Sequence, residues 1–136
     1  MTSYRTMLDT NIVSDLIRNP QGRAAKRLHR HGEQGICVSI ITAAELRYGA
    51  ARRQSDRLLR RIEVVLSMID VLPFEVPADA DYGSIRAALE AAGRTVGPTD
   101  LFIAAHARSM RVTLVTHNTA EFRRVPGLTV ENWLEP

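Results

Sequence analysis

Short apolar runs alternate along the chain with longer stretches in which apolar residues return every three or four positions, a pattern of strands interleaved with helices. Thr6-Met7-Leu8 reads as the end of a buried strand, and Asp9-Thr10-Asn11 offers capping side chains to a helix carrying Ile12, Val13, Leu16 and Ile17. Asn19-Pro20 and Gly22 break that helix, and a more basic helical stretch follows from about Arg23 to His31, ahead of Gly32. Ile36 to Ser39 predicts the next strand. Ser39 can cap a further helix in which Ile40, Ala43, Ala44 and Arg47 recur at helical spacing; it carries Glu45 and ends near Ala51.

In the second half, Leu58, Leu59, Ile62, Val65, Leu66 and Ile69 form the stripe of an amphipathic helix. Val71-Leu72 predicts a short strand before Pro73, and Tyr82, Ile85, Leu89 and Ala92 predict another helix that Gly93 terminates. Gly97-Pro98-Thr99-Asp100 opens an Ala- and Leu-rich helix running to about Met110, with proline and aspartate where a first turn favours them. The β-branched run Val112 to Thr116 reads as a central strand, and Leu128-Thr129-Val130 as a last short one. This alternation predicts an α/β domain with a mostly parallel central sheet flanked by helices on both faces. In such folds functional residues gather outside the carboxyl ends of the strands. Asp9 follows the first strand and Asn118 follows the Val112 to Thr116 strand, so both are predicted to face that crevice.

Composition narrows the class. A chain of 136 residues fits one domain, predicted to span residues 1–136, with room for one buried core. Its apolar stretches fall well short of the ~20 residues of a membrane span, and no basic segment followed by an apolar block opens it, so a cytoplasmic protein without membrane attachment is expected. Cys37 is the single cysteine; within Ile36-Cys37-Val38 it reads as a small buried hydrophobe rather than a reactive thiol. All of the 18 basic residues except Lys26 are arginine, whose planar fork suits phosphate, although that bias also follows from a GC-rich genome. Arg52, Arg53, Arg57, Arg60 and Arg61 cluster, either as a basic flank to an acidic pocket or as a solvated helix face.

Three acidic residues carry the candidate chemistry. Asp9 and Asp100 stand at helix starts, where capping or the helix dipole already accounts for each alone. Glu45 lies among Ala43, Ala44, Leu46 and Tyr48, which predicts close packing; a carboxylate there calls for an arginine, a raised pKa or a shared cation. Converging, the three would repel one another unless a divalent metal sat among them, and an all-oxygen site suits Mg²⁺ or Mn²⁺. His29, His31, His106 and His117 form no zinc motif with Cys37. His106, six residues after Asp100, falls about 120° round the helix and is left out of the site.

The segments Met7-Leu8-Asp9-Thr10-Asn11, Ala44-Glu45-Leu46-Arg47-Tyr48-Gly49-Ala50, Gly97-Pro98-Thr99-Asp100-Leu101-Phe102-Ile103-Ala104-Ala105-His106-Ala107 and Val115-Thr116-His117-Asn118-Thr119-Ala120-Glu121-Phe122 together resemble the PIN-domain nucleases, and within them the VapC-type toxins. The resemblance covers nearly the whole chain. It implies a PIN-like fold, a magnesium-dependent endoribonuclease cutting single-stranded or loop RNA, a homodimer, and the toxin role in a toxin–antitoxin pair with a cognate antitoxin. It makes Asp9, Glu45, Asp100 and Asn118 the catalytic positions, with Asp9 and Asp100 as metal ligands. Asn118 departs from the aspartate common at the fourth position and is followed by Glu121; Thr116 could contribute a hydroxyl, or simply cap.

Two other classes compete. A phosphotransfer receiver or dehalogenase-like phosphatase would need a late lysine, whereas Lys26 is early, and Leu8-Asp9-Thr10-Asn11 lacks the second aspartate of the phosphatase motif. A non-catalytic RNA-binding or scaffolding domain remains the rival that metal-dependent cleavage would separate.

Overall fold

The protein is described by a computed structural model covering residues 3–32 and 34–136. Its elements run β1 (Thr6–Leu8), α1 (Thr10–Arg18), α2 (Arg23–His31), β2 (Ile36–Ser39), α3 (Ile40–Arg52), α4 (Asp56–Met68) and β3 (Asp70–Leu72). They continue α5 (Ala78–Ala91), α6 (Pro98–Met110), β4 (Thr113–Val115), α7 (Thr119–Phe122) and β5 (Val130–Glu131). The five strands form one sheet in the order β3-β2-β1-β4-β5, and every pairing is parallel.

Period-two alternation divides the core between the faces of the sheet. Met7, Cys37 and Leu114 point to one face, where Ile85, Leu89, Leu101, Ile103, Ala104 and Phe122 of α5, α6 and α7 cover them. Leu8, Ile36, Val38 and Val115 point to the other, beneath Ile12, Val13, Ala43, Leu46, Ile62 and Leu66 of α1, α3 and α4. Trp133, from the C-terminal segment, closes this second layer with 1% of its surface exposed and its indole N–H donated to Glu131 Oε1 at 2.9 Å. Cys37 is fully buried as expected, and burial pushes its thiol up to about 12, out of reach of thiolate chemistry at neutral pH.

The predicted elements stand within a few residues of the observed ones. α5 begins at Ala78, a turn before the apolar stripe starts, and ends where Gly93 takes φ +67°, a left-handed conformation that costs glycine little. The last strand lies at Val130–Glu131 rather than over Leu128 to Val130, because Thr116 and Leu114 are paired with Glu131 and Thr129 by backbone hydrogen bonds. α7 was not expected; its four residues are too few to show a period.

From β1 the chain builds outward to β2 and β3 on one side, then crosses to β4 and β5 on the other. The order therefore reverses between β1 and β4, and a crevice opens at the carboxyl ends of these two strands. Asp9 lies at its floor.

Candidate active site

Asp9 is reached directly from β1. Its N–H donates to Val115 O of β4 at 2.8 Å, locking the residue at the strand end, and it caps α1 by accepting Thr10 N–H on Oδ1 at 2.8 Å. Oδ2 accepts from Thr116 Oγ1 at 2.8 Å and from Asn11 Nδ2 at 3.1 Å. Asn11 in turn accepts His117 N–H, and Thr116 Oγ1 accepts Asn118 N–H, so the segments after β1 and β4 are stitched across the crevice. With 2% of its surface exposed, Asp9 is the deepest of the acids. Burial raises its pKa, against the lowering effect of the three donors, and Glu121 pushes it up further.

Asp100 lies in the first turn of α6, and Glu45 in the middle of α3. The close packing expected about Glu45 is not what the structure has. Glu45 is half-buried, while Ala44 and Tyr48 beside it are exposed, because that face of α3 forms a wall of the crevice rather than part of the core. Its Oε1 accepts Thr10 Oγ1 at 3.3 Å, and burial followed by the charge of Asp9 raises its pKa. Asp100 is pushed up to about 7 by burial, then by the charges of Asp9, Glu121 and Glu45 and a hydrogen bond with Glu121.

Glu121 thus completes an acidic quartet. It projects from α7, and its Oε1 accepts Gly97 N–H at 3.0 Å, tying α7 to the entrance of α6. Asn118 stands at the rim instead. Its side chain is exposed and, among the described residues, makes no hydrogen bond to the acids; its carbonyl accepts Phe122 N–H to start α7. One turn separates Asn118 from Glu121, and that spacing is the signal that would have found Glu121 had the short helix been legible.

Arg27, Arg47, Arg86 and Arg108 all pair with carboxylates elsewhere, and among the described residues no Arg or Lys forms an ion pair with Asp9, Glu45, Asp100 or Glu121. The quartet therefore lacks positive charge. Among the described residues no group of three or more His, Cys, Asp or Glu side chains stands close enough to hold a metal ion between them. An open, all-oxygen donor set of this charge fits a hard cation that keeps several waters, Mg²⁺ or Mn²⁺, better than one that demands a full protein cage. Arg52, Arg53, Arg57, Arg60 and Arg61, singled out above, are all exposed. Among the described residues no helix is long and apolar enough to cross a membrane.

Comparison with known proteins agrees with this geometry. The PIN domain family matches residues 6–128. The chain belongs to the PIN-domain family. It is 46% identical over 129 residues to the tRNA(fMet)-specific endonuclease VapC of Shigella flexneri, an alignment covering 93% of this chain and 96% of that protein. Ribonuclease VapC2 of Haemophilus influenzae is 40% identical over 94% of this chain and 97% of its own length. Among solved structures, VapBC2 from Rickettsia felis bound to a DNA fragment from its promoter superposes with a TM-score of 0.89 at 34% identity, covering 94% of this chain and 98% of that one. DNA-bound VapBC from Salmonella typhimurium gives 0.85 at 38% identity, covering 96% and 98%. Within the PIN domains, the chain stands with the VapC-type ribonuclease toxins.

Proposed function

We propose that this chain is a Mg²⁺-dependent endoribonuclease that cuts single-stranded or loop RNA, and that it is the toxin of a pair silenced by a cognate antitoxin. The observation that carries the reading is the quartet Asp9, Glu45, Asp100 and Glu121, mutually repelling and without a basic partner at the switch point of a parallel sheet. Asp9 and Asp100 hold the cation, Asp9 presenting the carboxylate that Thr116 and Asn11 have already oriented. A Mg²⁺ held there would supply positive charge to the scissile phosphate and lower the pKa of the attacking water. Glu45 has Oε1 engaged by Thr10, which leaves Oε2 to take the proton of that water, and its raised pKa makes it a better base. Asn118 offers its exposed amide at the rim to a phosphate or a base edge. Glu121 steadies the α6 entrance through Gly97 N–H.

RNA preference then rests on binding, since the 2′-hydroxyl has no chemical part; exposed arginines such as Arg52, Arg53 and Arg57 can contact phosphate along an unstacked strand. The antitoxin, as partner, is proposed to lie in the apolar groove formed by Leu16, Leu28, Val65, Met68 and Ile69, rimmed on the α4 side by Arg57, Arg60 and Arg61. α1 leads from that groove to Asp9, so an arginine of the antitoxin can reach the unpaired acids and displace the cation. A cytoplasmic homodimer of one-domain chains completes the proposal.

The test is cleavage of total cellular RNA by the purified protein with Mg²⁺, Mn²⁺ or chelator, followed by mapping of the ends. Metal-dependent products with 5′-phosphate and 3′-hydroxyl ends are expected. A primary 2′,3′-cyclic phosphate would falsify the water-attack mechanism, and cleavage indifferent to chelator would remove the metal.

A further inference from the structure

His106 is a titratable side chain buried to 3% exposure that the chemistry above does not use. It sits on α6, on the side turned away from Asp100. Its Nδ1 lies 2.8 Å from Ser39 Oγ, and Ser39 is itself fully buried at the junction of β2 and α3. Ser39 Oγ accepts Ile41 N–H at 3.0 Å as the cap of α3 and keeps a proton and a second lone pair with which to meet Nδ1 in either tautomer. Burial holds the pKa of His106 below its ordinary value, which favours a neutral ring. Phe74 packs edge-on against that ring at 5.5 Å between centroids and fixes its plane.

The connection matters because of what the two helices carry. α6 bears Asp100 and α3 bears Glu45, and these carboxylates repel each other. Among the described residues, His106 to Ser39 is the only side-chain hydrogen bond between α6 and the β2–α3 unit. Apolar contacts are not directional, so they resist sliding of one helix along the other less sharply than a buried hydrogen bond does.

We propose that the His106–Ser39 hydrogen bond is a positioning clamp that sets the spacing of the Asp100-bearing and Glu45-bearing helices, and with it the geometry the acids offer to a divalent cation. The inference rests on the cation-binding reading of the quartet. His106 is then a positioning residue, acting through α3 and α6 without touching substrate.

The test measures Mn²⁺ affinity of the purified chain, from free Mn²⁺ by electron paramagnetic resonance, beside kcat and KM for RNA cleavage. His106→Leu should weaken Mn²⁺ binding on the order of tenfold, the low end of what partners of metal ligands are worth, and lower kcat with KM unchanged. His106→Asn should recover most of both, since its amide can accept or donate where Nδ1 does. Ser39→Ala should weaken Mn²⁺ binding similarly, and the Ser39→Ala, His106→Leu double variant should be no worse than the poorer single one. Wild-type Mn²⁺ affinity in His106→Leu, an Asn variant as impaired as the Leu variant, or additive losses would each overturn the clamp. If His106→Leu does not fold, Ser39→Ala decides, unchanged Mn²⁺ affinity refuting the proposal. A wild-type chain that binds no Mn²⁺ defeats the underlying cation reading as well, whereas normal wild-type binding with an indifferent His106 defeats the clamp alone.

Discussion

Two sets of carboxylates in this protein sit in opposite surroundings. Outside the crevice, Glu131 takes Arg27 at 2.6 Å and Glu90 takes Arg86 at 3.1 Å, the partly buried Asp81 takes Arg108 at 2.6 Å, and Glu63 pairs with Arg47, which holds its pKa below the usual carboxylate range. In the crevice, Asp9, Glu45 and Asp100 all have raised pKa values and no basic partner. A chain this rich in arginine could have neutralised them. That it leaves them bare, with a threonine and an asparagine orienting one of them, is what separates a site prepared for a cation from a surface prepared for water.

The sharpest way to break the comparison is to remove charge from each population in turn. Asp9→Asn, Glu45→Gln and Asp100→Asn should each lower RNA cleavage roughly 100-fold or more while the fold persists, read by steady-state kinetics and circular dichroism. Near wild-type turnover in two of the three would show that the crevice acids are not the active site.

Stability should respond in the opposite sense. Asp100 titrates near 7 when folded and at 3.8 as an unperturbed side chain, so its contribution is fully present below pH 3.8 and is lost as pH rises through about 7. Without metal at pH 8, Asp100→Asn should therefore stabilise the protein, by about 2 kcal/mol after allowing for solvent screening of a half-buried group. Asp81→Asn, which strips a partner from Arg108, should destabilise it by about 1 kcal/mol. Urea titration of both variants beside wild type tests the pair of signs; destabilisation by Asp100→Asn would mean that the acids are not strained.

Cation binding should share that window. Because protons compete with metal for Asp100, Mn²⁺ affinity should climb between about pH 4 and 7 with release of protons, seen as a buffer-dependent heat in calorimetry. An affinity flat across this range would place the cation elsewhere. The smallest effect belongs to the surface: Glu90→Gln, breaking the exposed pair with Arg86, should leave the urea midpoint unchanged.

Much of this was legible in the chain. The helices of the first half, the strand after Gly35 and the opening of α6 at Pro98 carry periods, caps and breakers that are local in origin, and the acids at Asp9, Glu45 and Asp100 stand in segments similar to a known family. Glu121 was less legible, since a four-residue helix has no period to show and Asn118 occupied the position the pattern drew attention to. Trp133 gave no signal either: a lone tryptophan in a polar tail is buried because the C-terminal segment folds onto the apolar layer of Leu8, Ile12 and Val13, with Arg27 set 5.9 Å from its ring.

What the sequence by itself determined, then, is the elements other than α7, their alternation and three of the four acids, because turns, caps and side-chain periods depend on neighbours in the chain. The strand order β3-β2-β1-β4-β5, the meeting of Asp9 with Asp100, Glu45 and Glu121, and the reach of His106 to Ser39 were decided only in three dimensions. Those contacts join residues 67 apart at Ser39 and His106 and 107 apart at Asp9 and Thr116, and no local preference fixes which distant partner a carboxylate or an imidazole will meet once the sheet has closed.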